Sequence, residues 1–174
     1  MSFQLSHLKP AAAALALLAA TAACAPMTGP GPYGPPGGSG FNVQDFAWST
    51  RAGSASIDGR VDFRRDGRSY QCTGSVALTP DTPYTRARFL TLYGSTDRAA
   101  VPEAVVRART VADPNADYRS YVRSTTCQNG QFRFTGLPNG SWFAIAPVSA
   151  GGDERIVLMR RIQTRDGRAV AVTL

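Results

Sequence analysis

Turn signals divide this chain into short runs in which apolar and polar residues alternate. Asn129-Gly130 separates two such runs, and this dipeptide is the strongest short-range signal of a β-hairpin. Asp66-Gly67 and Asp166-Gly167 mark further turns. The predicted strands are Ser56–Phe63, Ser75–Thr79, Tyr118–Cys127, Gln131–Thr135, Ser141–Val148, Glu154–Thr164 and Ala169–Leu174. Such spacing predicts an all-β fold, an antiparallel sandwich.

The segment Thr82–Ala112 departs from this pattern. Thr82 followed by Pro83 predicts a capped helix with proline at its first position, and Gly94 predicts its end. The apolar face of that helix would consist of Ala87, Leu90 and Tyr93. Glu103–Val111 is compatible with either a helix or a strand. We interpret the segment as an insertion that either carries a partner site or covers an open sheet edge.

The first 24 residues have the features of an export signal. Lys9 precedes the apolar run Ala11–Ala20, which is too short for a bilayer core needing about 20 residues but fits a signal peptide. The run leads to Thr21-Ala-Ala-Cys24, which resembles a bacterial lipoprotein box, with Thr21 where leucine is usual. The alternative is a plain secretory signal cut near Cys24. Ala25 after the cysteine favours outer-membrane sorting, so we expect a lipid-anchored protein facing the periplasm, or otherwise a secreted one.

The expected domain organisation follows from composition. Residues 1–24 are the signal, and residues 25–40 are nearly all Pro, Gly and small polar residues, which predicts an extended tether. Residues 41–174 are long enough for one domain with its own core.

Arginine supplies all the positive charge of the part that follows Cys24. Lys9 and His7 fall in the signal, and eighteen arginines against twelve acidic residues leave a net charge of +6. Such a domain suits anionic lipid, lipopolysaccharide or acidic polysaccharide, and we expect no nucleic-acid partner outside the cytoplasm. The arginines are scattered and alternate with apolar residues, which is also typical of a solvated sheet face.

Missing residue types exclude several chemistries. Without histidine after the signal, Ser-His-Asp triads and His-ligated zinc sites are excluded. Without lysine, Schiff-base and P-loop chemistry are excluded too. We predict a non-enzymatic protein with no cofactor and no metal. Carboxylates remain the possible hydrolytic or metal-binding groups: Asp58, Asp62, Asp66, Asp81, and the oxygen-rich Asp113–Asp117.

Cys72 and Cys127 are most simply a structural disulfide, because an exported chain meets oxidising conditions. The rival interpretation is two free thiols. Among the aromatic residues, Trp142 lies in an apolar run and is expected in the core. Trp48 lies near the edge of the domain and is the better candidate for stacking on a sugar ring.

The segment Thr125–Val148 resembles the carboxypeptidase regulatory-like, transthyretin-like family. The positions that match the family motif are Gly130, Phe132, Phe134, Leu137, Pro138, Gly140 and Trp142. The resemblance implies a seven-stranded Greek-key β-sandwich that serves as a structural or binding module. The related hydroxyisourate hydrolases use histidine, so the resemblance does not imply that activity here.

The sequence leaves three functional hypotheses open. The first is an envelope lipoprotein whose sandwich binds or scaffolds another envelope component, either a protein or a polysaccharide. Its predicted contact residues are Tyr84, Arg86, Arg88, Phe89 and Tyr93. The alternative is a carbohydrate-binding module that uses Trp48, and a carboxylate-dependent hydrolase is a third hypothesis.

Overall fold

The structure is a computed structural model that describes residues 40–111 and 117–174. The signal with Cys24, nearly all of the tether, and most of the oxygen-rich Asp113–Asp117 segment lie outside these ranges. No helix in the described ranges is long and apolar enough to cross a membrane.

The described residues form ten strands, two α-helices and two 3₁₀ helices. The strands are β1 (Ala55–Arg60), β2 (Phe63–Arg65), β3 (Arg68–Cys72), β4 (Ser75–Pro80), β5 (Arg98–Pro102), β6 (Arg123–Thr126), β7 (Gln131–Leu137), β8 (Gly140–Ser149), β9 (Arg155–Thr164) and β10 (Ala169–Thr173). The helices are α1 (Pro83–Tyr93) and α2 (Glu103–Ala108), and the 3₁₀ segments are Val43–Thr50 and Asp117–Tyr121.

Two sheets face each other. The smaller has the order β10-β1-β7, with β1 parallel to β10 and antiparallel to β7. The larger is built on the long β8–β9 hairpin, which pairs from Gly140 opposite Thr164 to Ser149 opposite Arg155. Strands β3 and β4 follow one another along the other edge of β8, β6 pairs with β4, and β5 pairs with β9. The all-β sandwich predicted from the turn signals is confirmed.

The core fills the space between the sheets. Alternation along each strand sends every second side chain inward. Phe132 and Phe134 of β7 therefore face Trp142, Ala144 and Ala146 of β8, all of them buried. Gly59 on β1 is required here, because an added Cβ would lie 1.9 Å from the Phe132 ring.

Helix α1 forms a third layer on the outer face of the larger sheet. Its capping box joins Thr82 and Thr85, and Gly94 ends it in the left-handed conformation, as the sequence predicts. The buried face differs in part from the predicted one. Tyr93 is buried as predicted, but Leu90 is exposed, and Phe89 packs on Phe143 with 4.9 Å between ring centroids. Phe89 and Tyr93 are the buried residues of α1 because they cover the outward side of β8 and β9.

Several strand predictions need correction. The structure has ten strands in the described ranges instead of seven. The Ser56–Phe63 run is interrupted after Arg60, so it gives β1 in the smaller sheet and the start of the β2–β3 hairpin. Tyr118–Cys127 is not one strand, because its first part is a 3₁₀ helix and β6 begins at Arg123. The ambiguous Glu103–Val111 is helical over Glu103–Ala108.

Cys72 and Cys127 form a disulfide, which confirms the predicted pair. It joins the end of β3 to the residue after β6, 55 positions apart in sequence. Both segments lie at the same edge of the larger sheet, next to β4. The bridge therefore ties the β6–β7 turn to the sheet.

Candidate functional site

A depression of about 380 Å³ lies at the end of the sandwich where three connections meet. We call it the Trp48 depression. Its lining comes from the first 3₁₀ helix and the following loop, the β7–β8 turn and the β9–β10 turn: Trp48, Arg51, Ala52, Gly53, Ser54, Leu137, Pro138, Asn139, Asp166 and Gly167. Loops held at the end of a rigid sandwich are common positions for binding sites.

The Trp48 ring is fixed against the core. It meets the ring of Trp142 edge-on, with 4.8 Å between centroids and 67° between planes. Its Cζ3 lies so close to the β7–β8 turn that a Cβ on Gly140 would be only 2.0 Å away. The ring is partly buried by these contacts, and its remaining surface lines the depression. An aromatic ring held in this way loses little freedom when a ligand stacks on it.

A buried hydroxyl holds the turn beneath this ring. Thr164 Oγ1 accepts a hydrogen bond from Trp142 Nε1 at 3.1 Å and donates to the carbonyl of Pro138 at 2.7 Å. Thr164 and Trp142 are both fully buried. The link joins β8, β9 and the β7–β8 turn, so the base of the depression is a rigid part of the core.

Three polar side chains around the depression are free to bind a ligand. Arg51, Asn139 and Asp166 are exposed, and within the described parts of the chain none of them has a side-chain partner. They offer a guanidinium, an amide and a carboxylate. Asp166 and Gly167 have φ values of 56° and 65° in a tight turn closed by the Arg168 N–H bonded to the Arg165 carbonyl, and Asp166 lies at the rim. An aromatic floor with a few orienting polar groups is the usual composition of a small-ligand site.

A larger concavity of about 860 Å³ lies on the outer face of the smaller sheet and the adjoining β6–β7 turn. We call it the polar trough. Asp58 and Arg133 face each other across β1 and β7, and Arg133 Nε lies 2.9 Å from Asp58 Oδ1. The outward neighbours Arg60 and Gln131 are also directly opposite each other. Among the described residues that line it, the one aromatic is Phe132, and its ring points into the core and away from the trough.

Three of the five predicted contact residues are not on the surface. Tyr84, Phe89 and Tyr93 are buried, with exposed fractions of 3%, 3% and 9%. Phe89 and Tyr93 pack on β8 and β9, and Tyr84 lies within ring-contact distance of Phe46 and Tyr118. Phe89 was expected outside because the apolar face of α1 was assigned to Ala87, Leu90 and Tyr93. Tyr93 belongs to that face, and its burial there excludes it as a contact residue.

The two arginines of that set are held by the protein itself. Arg86 donates from Nε and Nη2 to the two carboxylate oxygens of Asp81, at 3.0 and 2.9 Å. Arg161 of β9 donates to the same carboxylate, so Asp81 fastens α1 to the sheet. These hydrogen bonds raise the pKa of the Arg86 guanidinium. The guanidinium of Arg88 lies 4.9 Å from the centre of the Tyr118 ring.

Trp48 lines the depression, but the polar residues around it were not predicted as site residues from the sequence. Asp166 is predicted from the sequence only as a turn residue, Arg51 is one of many scattered arginines, and Asn139 is not predicted as a site residue. The available signal was only that each turn joins two predicted strands; in the structure both turns connect one sheet to the other, β7 to β8 and β9 to β10. That two such turns would close around Trp48 depends on sheet order, which the sequence does not display.

The four aspartates offered as hydrolytic groups each lie beside an arginine. Asp58 pairs with Arg133, Asp62 with Arg60, Asp66 with Arg65, and Asp81 with Arg86 and Arg161. In the described ranges no group of three or more His, Cys, Asp or Glu residues is placed to hold a metal ion.

The likeness of this chain to known proteins lies in its fold. No protein-family model matches the chain, and no curated protein matches it. The fold is similar to the crystal structure of a "putative carbohydrate binding protein" from Pseudomonas aeruginosa, with a TM-score of 0.53 over 77% of this chain and 97% of that one. The two sequences are 21% identical, so the likeness concerns the fold alone.

Proposed function

We propose that this protein is a carbohydrate-binding domain of the bacterial cell envelope and that the Trp48 depression holds the sugar. The observation that carries the proposal is a partly exposed tryptophan ring surrounded by a guanidinium, an amide and a carboxylate that have no side-chain partner among the described residues. A sugar presents an apolar C–H face and a rim of hydroxyl groups. Trp48 would stack on the first, while Arg51, Asn139 and Asp166 would hydrogen-bond the second.

The fold comparison supports this choice. The Pseudomonas protein that shares the fold is named for carbohydrate binding. By contrast, the protein-adaptor hypothesis loses three of its five contact residues to the core. A volume of about 380 Å³ is within the range of roughly 300–1,000 Å³ usual for small-ligand sites, and suits one or two sugar units at the end of a longer glycan.

The basic charge suggests the class of glycan. A net charge of +6 after Cys24 favours polysaccharides that carry carboxylate or phosphate groups. Within the site, Arg51 would meet such a group, while Asp166 would accept from hydroxyl groups. Binding should therefore weaken as salt rises from 50 to 500 mM, by a factor of about three or more.

A glycan array tests the proposal. The wild-type protein is compared with Arg51→Ala/Asn139→Ala in the depression and with Arg60→Ala/Gln131→Ala in the polar trough. Each pair removes one guanidinium and one amide from an exposed position, so the two variants are matched. We expect binding that is lost in the first and kept in the second. Binding lost only in the second variant would place the site in the trough, and no binding to any glycan would overturn the proposed function.

We propose that lipid on Cys24 holds this domain at the outer membrane, facing the periplasm. Support comes from the lipoprotein-box resemblance and from the Cys72–Cys127 disulfide, which is typical of proteins folded outside the cytoplasm. Cells fed labelled palmitate should incorporate it into the wild-type chain but not into Cys24→Ser. Label in the variant, or none in either protein, would contradict the anchor.

We further propose that the domain is non-catalytic and belongs to the carboxypeptidase regulatory-like group. The motif positions support this, because Phe132 and Phe134 face the core and Pro138-Asn139-Gly140 turns tightly into β8. The carboxylates paired with arginines support a binding role over hydrolysis. Release of reducing sugar ends from any glycan that the protein binds would contradict the non-catalytic role.

A further inference from the structure

Two arginines face each other across the edge of the larger sheet. Arg98 of β5 lies directly opposite Arg160 of β9 in an antiparallel pair. Side chains that are directly opposite lie on the same face, and like charges in this position destabilise a sheet. Within residues 40–111 and 117–174 neither arginine forms an ion pair.

Strand alternation sends this pair toward the gap between the sheets. Arg160 lies two positions from Leu158, which is buried in a cluster with Tyr70, Val148 and Ile156. The two residues therefore share the inward face of β9. Arg160 also donates from Nη1 to the carbonyl of Thr173 in β10, 2.5 Å away, so its side chain spans the gap to the other sheet.

An apolar cleft of about 390 Å³ opens beside these two guanidinium groups. Its floor includes Phe63, Leu158 and Leu174, and Arg98 and Arg160 belong to the same lining. Ala100, two positions from Arg98 on the edge strand and directly opposite Leu158, also lines the cleft.

We propose that this cleft binds an acyl chain with an anionic head group, such as a fatty acid. The carboxylate or phosphate would bridge Arg98 and Arg160 through charge-assisted hydrogen bonds, and the chain would lie on the apolar floor. The bound anion would supply the negative charge that the like-charged pair lacks. This site is separate from the Trp48 depression, since the two share no lining residue.

The test uses the full chain with Cys24→Ser, purified without detergent, and isothermal titration with lauric acid. Acetate supplies the head group without the chain, and dodecanol supplies the chain without the charge. We expect saturable binding of laurate, at least tenfold weaker binding of dodecanol, and no binding of acetate. Absence of laurate binding, or equal affinity for dodecanol, would overturn the proposal.

Three variants connect binding to the cleft. Arg98→Glu should reduce laurate affinity at least tenfold, while its melting temperature stays equal or rises because an opposite-charge pair replaces a like-charge one. Ala100→Phe should block the cleft without removing either arginine. Arg155→Ala is the matched control. Arg155 is an exposed arginine of β9, and strand alternation places its side chain on the opposite face of the sheet from Arg160. Unchanged affinity in Arg98→Glu would show that the two arginines only protect the sheet edge.

Discussion

Trp48 stands edge-on against Trp142, with 4.8 Å between the ring centroids, so the partly exposed aromatic ring of the candidate site rests directly on a fully buried one. The proposed ligand site is thus continuous with the core of the sandwich. Substitutions in the core beneath Trp48 should therefore alter the position of its ring in the candidate site.

Replacing Thr164 by valine should destabilise the protein and weaken glycan binding. Valine keeps the shape but leaves Trp142 Nε1 and the Pro138 carbonyl without their present partner in the core. Buried groups left unpaired cost about 1–3 kcal/mol in the free energy of unfolding. Urea denaturation measures the loss. Thr173→Val, at an exposed position on β10, is the control and should change stability little. Equal stabilities of the two variants would contradict the role of the Thr164 link.

Replacing Gly140 by alanine should displace the Trp48 ring. The new Cβ would be 2.0 Å from Cζ3, a distance that the ring can relieve only by moving. Overpacking of this kind costs about 1–3 kcal/mol. Near-ultraviolet circular dichroism, which is sensitive to the environment of the tryptophans, should change together with stability. The control is Gly40→Ala, where an added Cβ meets nothing within 4 Å. A Gly140→Ala spectrum identical to that of the wild type would contradict the contact.

Breaking the disulfide should lower stability by up to about 4 kcal/mol. The bridge closes a long loop, because Cys72 and Cys127 are 55 positions apart in sequence, and so it restricts the unfolded chain. Guanidinium denaturation with and without a reducing agent measures the difference. Cys72→Ser/Cys127→Ser should match the reduced wild type and should not respond to the reducing agent. A reducing agent without effect on the wild-type midpoint would show that the bridge contributes nothing.

Stability should fall at high pH because of Tyr93. Burial beneath α1 raises the pKa of Tyr93 to about 12, against an ordinary 10.0 for an unfolded chain. The folded state therefore keeps a proton that the unfolded state releases. The contribution of Tyr93 to the free energy of unfolding is therefore complete below pH 10. As the pH rises to 12, about 2–3 kcal/mol of it is lost. The difference in unfolding free energy between wild type and Tyr93→Phe should show this slope, and a constant difference from pH 8 to 12 would contradict it.

The sequence predicts local structure well where backbone chemistry is specific. Asn129-Gly130 and Asp166-Gly167 form turns because few other residues accept positive φ. The hairpin predicted at Asn129-Gly130 is wrong beyond the single bridge of Gln128 with Gln131, because β6 pairs with β4 and β7 pairs with β1. The Thr82 cap and the Gly94 terminus of α1 are correct for similar reasons. The buried face of α1 was wrong, because Leu90 and Phe89 are both apolar and only the sheet beneath decides which one is covered.

The site is harder to predict than the fold. Trp48 is predicted as a ligand-stacking residue from its residue type. Its neighbours Asn139 and Asp166 are distant in sequence, and they lie near Trp48 only because the β7–β8 and β9–β10 turns are at the same end of the sandwich. The facing pair of Arg98 and Arg160 depends on the register of β5 against β9, which alternation alone cannot fix.

The most direct test of the carbohydrate-binding proposal is tryptophan emission during titration with soluble glycans. Trp142 is fully buried, so a ligand that stacks in the depression should change the emission of Trp48. The account predicts a saturable change with at least one anionic glycan in the wild type, and its loss in Trp48→Phe when the variant is shown to be folded by circular dichroism. No change with any glycan, or the same change in Trp48→Phe, would contradict it.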